Sequence, residues 1–183
     1  MTKKIISMML VFVMGLTLLT GCGSKTDEFV TVANINQSSV NVAEGFFQAI
    51  FTKDQELFDA CFPASFREFE NEDGETVDME SVLENYASYL DPTYTYVGAS
   101  LSAYNDYDEE HGYTDFPELS EQIAAIHHTT PELIAQAQIV KLRLNFDDAE
   151  GSRLTTDVYI MVYKSENAWY VYELQNSDAE FAV

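Results

Sequence analysis

Positive charge and cysteine are what this chain has least of. Its 183 residues include nine Lys and Arg against thirty-one Asp and Glu, a formal charge of −22, and only two cysteines. A balance so negative argues against nucleic-acid binding, which needs cations to displace counterions from phosphates. It also argues against adhesion to anionic lipid headgroups. The acidity reads first as solubility and self-repulsion, ahead of a site for a cation or a basic partner. Cys22 closes an N-terminal apolar run, which leaves Cys61 without a partner for an internal disulfide, so the fold must be held by core packing. Cys61 lies in Leu57-Phe58-Asp59-Ala60-Cys61-Phe62 with no histidine or other base beside it. It reads as a packing residue, not a nucleophile. Gly-rich phosphate loops, a Gly-x-Ser-x-Gly elbow and Cys-x-x-Cys pairs are absent from the sequence, which removes the chemistries those motifs carry.

The most informative stretch present is the first twenty-two residues. Lys3 and Lys4 are followed by an almost unbroken apolar run from Ile5 to Leu19, and then by Leu19-Thr20-Gly21-Cys22. A basic start, an apolar core and a small-residue site in this order are the parts of a secretory signal peptide. The run is shorter than the roughly 20 residues that a spanning helix needs. The motif resembles the lipobox of bacterial lipoproteins. That resemblance implies cleavage between Gly21 and Cys22, a lipid such as diacylglycerol and palmitate on Cys22, and residence on the extracytoplasmic face of the cell membrane. The bland alternatives are an uncleaved membrane helix or an ordinary signal peptide with an incidental cysteine.

The remaining chain divides into a polar stretch and one domain. Residues 22–39 are rich in Ser, Thr, Asn and Gln and read as a lipid-anchored tether, spanning roughly 20–25 Å root-mean-square if flexible. Residues 40–183 are sized for a single domain. Val40, Ala43, Phe47, Ile50 and Phe51 recur at helical spacing, with Ser39 or Asn41 as cap. Asp54 is placed to cap a short helix carrying Leu57, Phe58, Cys61 and Phe62, which Pro63 stops. A turn is expected at Asp73-Gly74 and a third helix from Asp78 to Leu90, before Asp91-Pro92. The period then shortens to two. Thr93 to Tyr104 reads as a strand, Asn105 to Asp115 as an acidic loop, and Pro117 opens a helix with Leu119, Ile123 and Ile126 on one side. That helix ends near His127-His128, where protonated histidines would favour a helix C-terminus. Val140, Leu142, Leu144 and Phe146 alternate with Lys141, Arg143 and Asn145. Val158, Ile160 and Val162 alternate in turn with Asp157, Tyr159, Met161 and Tyr163. Ser165-Glu166-Asn167 turns the chain into Ala168 to Leu174. Three strands with short turns make an antiparallel meander with one buried and one wet face.

Helices followed by a meander ending in Asn167-Ala168-Trp169-Tyr170-Val171-Tyr172 resemble the nuclear-transport-factor-2-like fold. This is an α+β, cone-shaped half-barrel in which N-terminal helices pack on a curved antiparallel sheet. The likeness is nearest to small Gram-positive envelope lipoproteins and runs from about Val40 to Leu174. Enzymes of that fold, the ketosteroid isomerases and polyketide cyclases, resemble one another in holding an Asp or His base in the cone, with Tyr or Asp as donor. No position here matches such a motif. Asp157, Tyr159, Tyr163 and Glu173 fall on the more polar strand face and are expected to be exposed. EF-hand spacing fails around Asp73-Gly74 and around His111-Gly112. The acids Asp106, Asp108, Glu109 and Glu110 form a solvated loop before they form a calcium site. His127 and His128 diverge by about 100° on a helix and do not share a metal easily. The expectation is a membrane-anchored lipoprotein acting as a non-enzymatic ligand-binding or protein-interaction module. No cofactor, metal or nucleic acid is expected, and its partners are the membrane and a small molecule, peptide or envelope protein. The alternative is a small isomerase- or cyclase-like enzyme.

Overall fold

A single long helix, α1 (Ser39–Thr52), organises the domain. The computed structural model describes residues 29–71, 74–107 and 116–174, with backbone alone for 104–107 and 173–174. The Ser38 side chain caps α1 by accepting from Asn41 N, one residue before Ser39 and three before Asn41, the caps expected from sequence, and Lys53 ends it in the left-handed region. Asp54 accepts from Leu57 N to start α2 (Gln55–Ala60), and Asp78 accepts from Ser81 N to start α4 (Met79–Ser88). Each cap satisfies an amide that the first helical turn leaves without a partner. Between them, α3 (Ala64–Arg67) is a single turn that begins directly after Pro63.

The sheet has four antiparallel strands in sequential order. They are β1 (Thr95–Tyr107), β2 (Ile134–Asp147), β3 (Arg153–Ser165) and β4 (Ala168–Leu174), and α5 (Phe116–His127) lies between β1 and β2 in the chain. Strand β2 begins six residues before the alternation at Val140. Gly151, at φ 81°, closes the β2–β3 hairpin, while Glu166 and Asn167, both at positive φ, form the β3–β4 turn. Positive φ at both central residues matches the right-handed twist of the flanking strands. Pairing slips between Tyr96 and Gly98, Leu101 and Ala103, Ile134 and Gln136, and Met161 and Val162, and each slip adds local bend and twist.

One sheet face carries the main core. Val140, Leu142, Leu144, Ile160 and Val162 are fully enclosed, packed with Phe46, Leu57 and Phe58 from α1 and α2. Phe46 is the hub: its ring centroid lies 5.4–6.2 Å from those of Phe47, Phe58, Phe62 and Tyr86, a range in which aromatic pairs attract beyond area burial. Trp169, on the same face, is 7% exposed. Cys61 is buried and donates to Leu57 O, and burial, with Asp59 nearby, pushes its thiol well above the usual range.

Two expectations are corrected here. The tether was drawn through residue 39, but Val30 and Ile35 are buried in the core. Val30 N donates to Gln48 Oε1 and Gln48 Nε2 donates to Val30 O, each at 2.9 Å. The few apolar residues in a polar stretch suffice to dock it, so packing begins at Val30. The meander also lacks a uniformly wet face, because Met161 and Tyr163 are buried on the side opposite Val162.

Candidate functional site

A second core explains the burial of Tyr163. Ile123 and Ala124 of α5 pack with Ile134 and Ala137 of β2 and Tyr163 of β3, with Tyr170 and Tyr172 alongside. Ala137 and Tyr163 are paired residues and so share a face, as do Tyr163 and Tyr170. The α2–α3 segment, whose Phe62 and Phe66 rings stand beside His127, runs past the free edge of β4. Val171 N donates to Cys61 O at 2.9 Å, and Asn36 Nδ2 donates both to Trp169 O at 2.7 Å and to Ala60 O at 2.9 Å. These contacts occupy Val171 N and Trp169 O, which blunts that edge against pairing with a foreign strand.

At the centre of this second core is His127, 1% exposed. Its Nδ1 lies 3.0 Å from Tyr163 Oη; in the Nε2–H tautomer the phenol donates to it. The ring is walled by aromatics, with centroids 5.0 Å from Phe66, 5.1 Å from Tyr163, 5.9 Å from Tyr172 and 6.5 Å from Phe62. Ser65 Oγ donates to the His127 carbonyl at 2.7 Å, and Thr129 N donates to Ala124 O. His128 enters the left-handed region at φ 52°, which completes a Schellman-type ending. Burial, and secondarily His128, lowers His127 to about 4, so the imidazole is neutral at physiological pH. Burial likewise pushes the Tyr163 phenol up. Burial disfavours the charged form of both groups, so the neutral imidazole and neutral phenol keep their protons and their hydrogen bond locks α5 onto the sheet.

The histidines were expected as charges favouring a helix terminus, and Tyr163 as exposed; the structure instead buries both His127 and Tyr163, uncharged and joined. The helical stripe is also shifted. Ser120, Ile123, Ala124 and His127 face the core, while Ile126 is 48% exposed. His128 is exposed and stacks on Phe69, with rings nearly parallel at 3.4 Å. The signal for Tyr163 was present in Tyr159-Ile160-Met161-Val162-Tyr163, a run apolar on both strand faces that indicates cover on both sides.

The remaining candidates lie apart. On the more open part of the second face, Asp157 pairs with Arg143 and Lys141 at 2.9 Å each. Those hydrogen bonds, Arg143 first, hold its carboxyl at about 2. Lys141 also sits 5.3 Å over the Tyr159 ring. This reads as a surface charge cluster. Among the described residues there is no group of three or more His, Cys, Asp or Glu able to hold a metal ion. Gly21, Cys22, Asp108, Glu109 and Glu110 lie outside the described residues, as do the side chains of Asp106 and Glu173. No helix among the described residues is long and apolar enough to cross a membrane. The fold thus defines an α+β protein with an open four-stranded antiparallel sheet. No family model, curated protein or solved structure matches this chain.

Proposed function

We propose that the protein is a bacterial lipoprotein, anchored through Cys22 to the extracytoplasmic face of the cell membrane, whose domain is a non-enzymatic interaction or ligand-binding module. The anchor rests on Leu19-Thr20-Gly21-Cys22 following the apolar run. Two acyl chains, at about 0.8 kcal/mol per buried methylene, hold a protein where one is marginal. For the finer fold we keep the nuclear-transport-factor-2-like half-barrel, supported by the four register slips that curl the sheet. The observation that carries the non-enzymatic reading is the filled helix-bearing face, where Val140, Leu142, Leu144, Ile160 and Val162 are wholly covered by protein side chains. In a fold whose enzymes work inside the cone, a packed interior leaves recognition to the surface. Partners would be an envelope protein, a peptide or a small molecule.

Cys22→Ala tests the anchor. The wild-type chain is expected in the membrane fraction, carrying label from fed palmitate. The variant is expected unlabelled, and either released or unprocessed. A variant that is processed and membrane-bound like wild type would sink the assignment.

A second reading has one observation in its favour, the neutral His127 beside Tyr163 in an apolar wall. Such a pair suits proton transfer next to a carbonyl, as in an isomerase or cyclase. Deuterium exchange at carbon α to the carbonyl of simple ketones, present in wild type and lost in His127→Phe, would move the assignment to an enzyme.

A further inference from the structure

We propose that the domain is held end-on at the bilayer, with the β2–β3 hairpin end against the lipid surface and the α5 end facing away. The proposal rests on the lipid-anchored reading and adds an orientation to it. Because Val30 is hydrogen-bonded on both its N–H and its carbonyl by buried Gln48, and Ile35 is enclosed against Gly45, the anchor-side chain is fixed to the body as far back as Val30. Phe29, one residue earlier, has its ring 6.4 Å from Tyr96. Tyr96 pairs with Phe146, next to the hairpin that runs from Asp147 to Arg153. Seven Cα-to-Cα steps separate Cys22 from Phe29, a reach of at most about 25 Å whatever conformation they take.

The sheet is longer than that leash. Strand β2 runs twelve residues from Phe146 back to Ile134, about 40 Å of strand. Helix α5 packs at the far end, on Ile134, Ala137 and Tyr163. The chain enters at one end, on a connection shorter than the distance to the other, so the hairpin end stays next to the membrane. That end carries both apolar and acidic surface: Phe29 is 51% exposed and Leu154, which pairs with Phe146, is 41% exposed, beside Asp147, Asp148 and Glu150 of the hairpin. Phe29 and Leu154 suit the interfacial layer, the hairpin acids limit the contact to that apolar pair, and a protein this acidic has no electrostatic reason to lie flat on anionic lipid.

The test uses the full lipidated chain in vesicles of phosphatidylcholine and phosphatidylglycerol containing a headgroup-quenching lipid. A fluorophore is placed through Ala149→Cys at the hairpin or Gln122→Cys on α5, both exposed positions; buried Cys61 and acylated Cys22 leave the new thiol as the reactive one. Emission is expected to be lost at position 149 and largely kept at 122. A spacer of about 20 Gly and Ser residues after Lys25, able to extend roughly 65–70 Å, is expected to erase that difference. Equal quenching at both sites, or a difference that survives the spacer, overturns the orientation while leaving the anchor intact. A wild-type chain that stays in the aqueous phase overturns the anchor and the orientation together.

Discussion

His127 is 1% exposed in an apolar wall, and this makes it a stability switch. Its pKa of about 4 in the folded state lies below the 6.5 of an unburied histidine, so between those values the unfolded chain binds the extra proton more readily. The sign follows: stability from the neutral, buried ring is fully present above about pH 6.5 and is lost as pH falls toward 4. A shift of that size corresponds to about 3 kcal/mol. Urea melts across pH 4–7 should show wild type losing that much more than His127→Phe, whose ring cannot titrate. Parallel profiles would mean that the ring reaches solvent. The variant's lower absolute stability, from leaving the Tyr163 hydroxyl unpaired at about 1–3 kcal/mol, does not affect the comparison of slopes. His127 was visible in the sequence only as half of a histidine pair at a helix end. Helical spacing fits Leu119, Ile123 and Ile126 as well as Ser120, Ile123 and His127, and hydropathy favours the first set. The second is buried because aromatic residues sixty positions earlier, Phe62 and Phe66, supply its wall. No local pattern carries that information.

The elements divide along the same line between local and distant causes. Helices α2 and α4 were legible because periodicity, an Asp cap and a following stop agreed within a dozen residues, and α1 because its apolar residues recur at helical spacing. The Val140–Phe146 and Val158–Val162 alternations were legible because one face of each is deeply buried. Trp169, at the start of the last strand, is buried against that core, and Trp169→Ala should cost roughly 3–5 kcal/mol; native emission at the fully hydrated wavelength would contradict its packing. What could not be read was the strap at residues 30–37, which docks through Val30 and Ile35 onto a glycine half a helix away. A Cβ on Gly45 would stand 2.6 Å from Ile35 Cδ1 and 2.9 Å from Cγ1, too close without movement in a filled core. Gly45→Ala should therefore destabilise by about 1–3 kcal/mol. Ile35→Val removes the offending Cδ1, at about 0.5–1.5 kcal/mol alone. The double variant should lose less than the sum of the two, measured by chemical denaturation. Strict additivity would show that the strap does not bear on α1.

At the scale of the whole molecule the charge excess sets the response to salt. The described ion pairs, Asp157 with Lys141 and Arg143 and Asp147 with Arg153, are at least partly exposed, and pairs of this kind contribute roughly 0–1 kcal/mol each. Against them stand thirty-one carboxylates and only nine Lys and Arg, so most acids have no cation to meet and repel one another across the folded surface. Salt weakens both effects, since the Debye length falls from about 30 Å at 0.01 M to 3 Å at 1 M, but the repulsion is the larger sum. Raising NaCl at pH 7.5 should therefore raise the melting temperature of the domain from Phe29 onward, by about 2–4 °C per kcal/mol of repulsion screened. A fall in melting temperature would mean that the few cations govern stability. Calcium at matched ionic strength separates screening from binding. If the acidic residues are a solvated surface, calcium should do little more than NaCl, and EDTA should leave the melt unchanged. A site filled only in the folded state would add RT ln(1 + [L]/Kd), about 2.7 kcal/mol at a hundredfold excess over Kd. A calcium-specific rise of that order would turn the acids around Asp106–Glu110 from repelling charges into ligands.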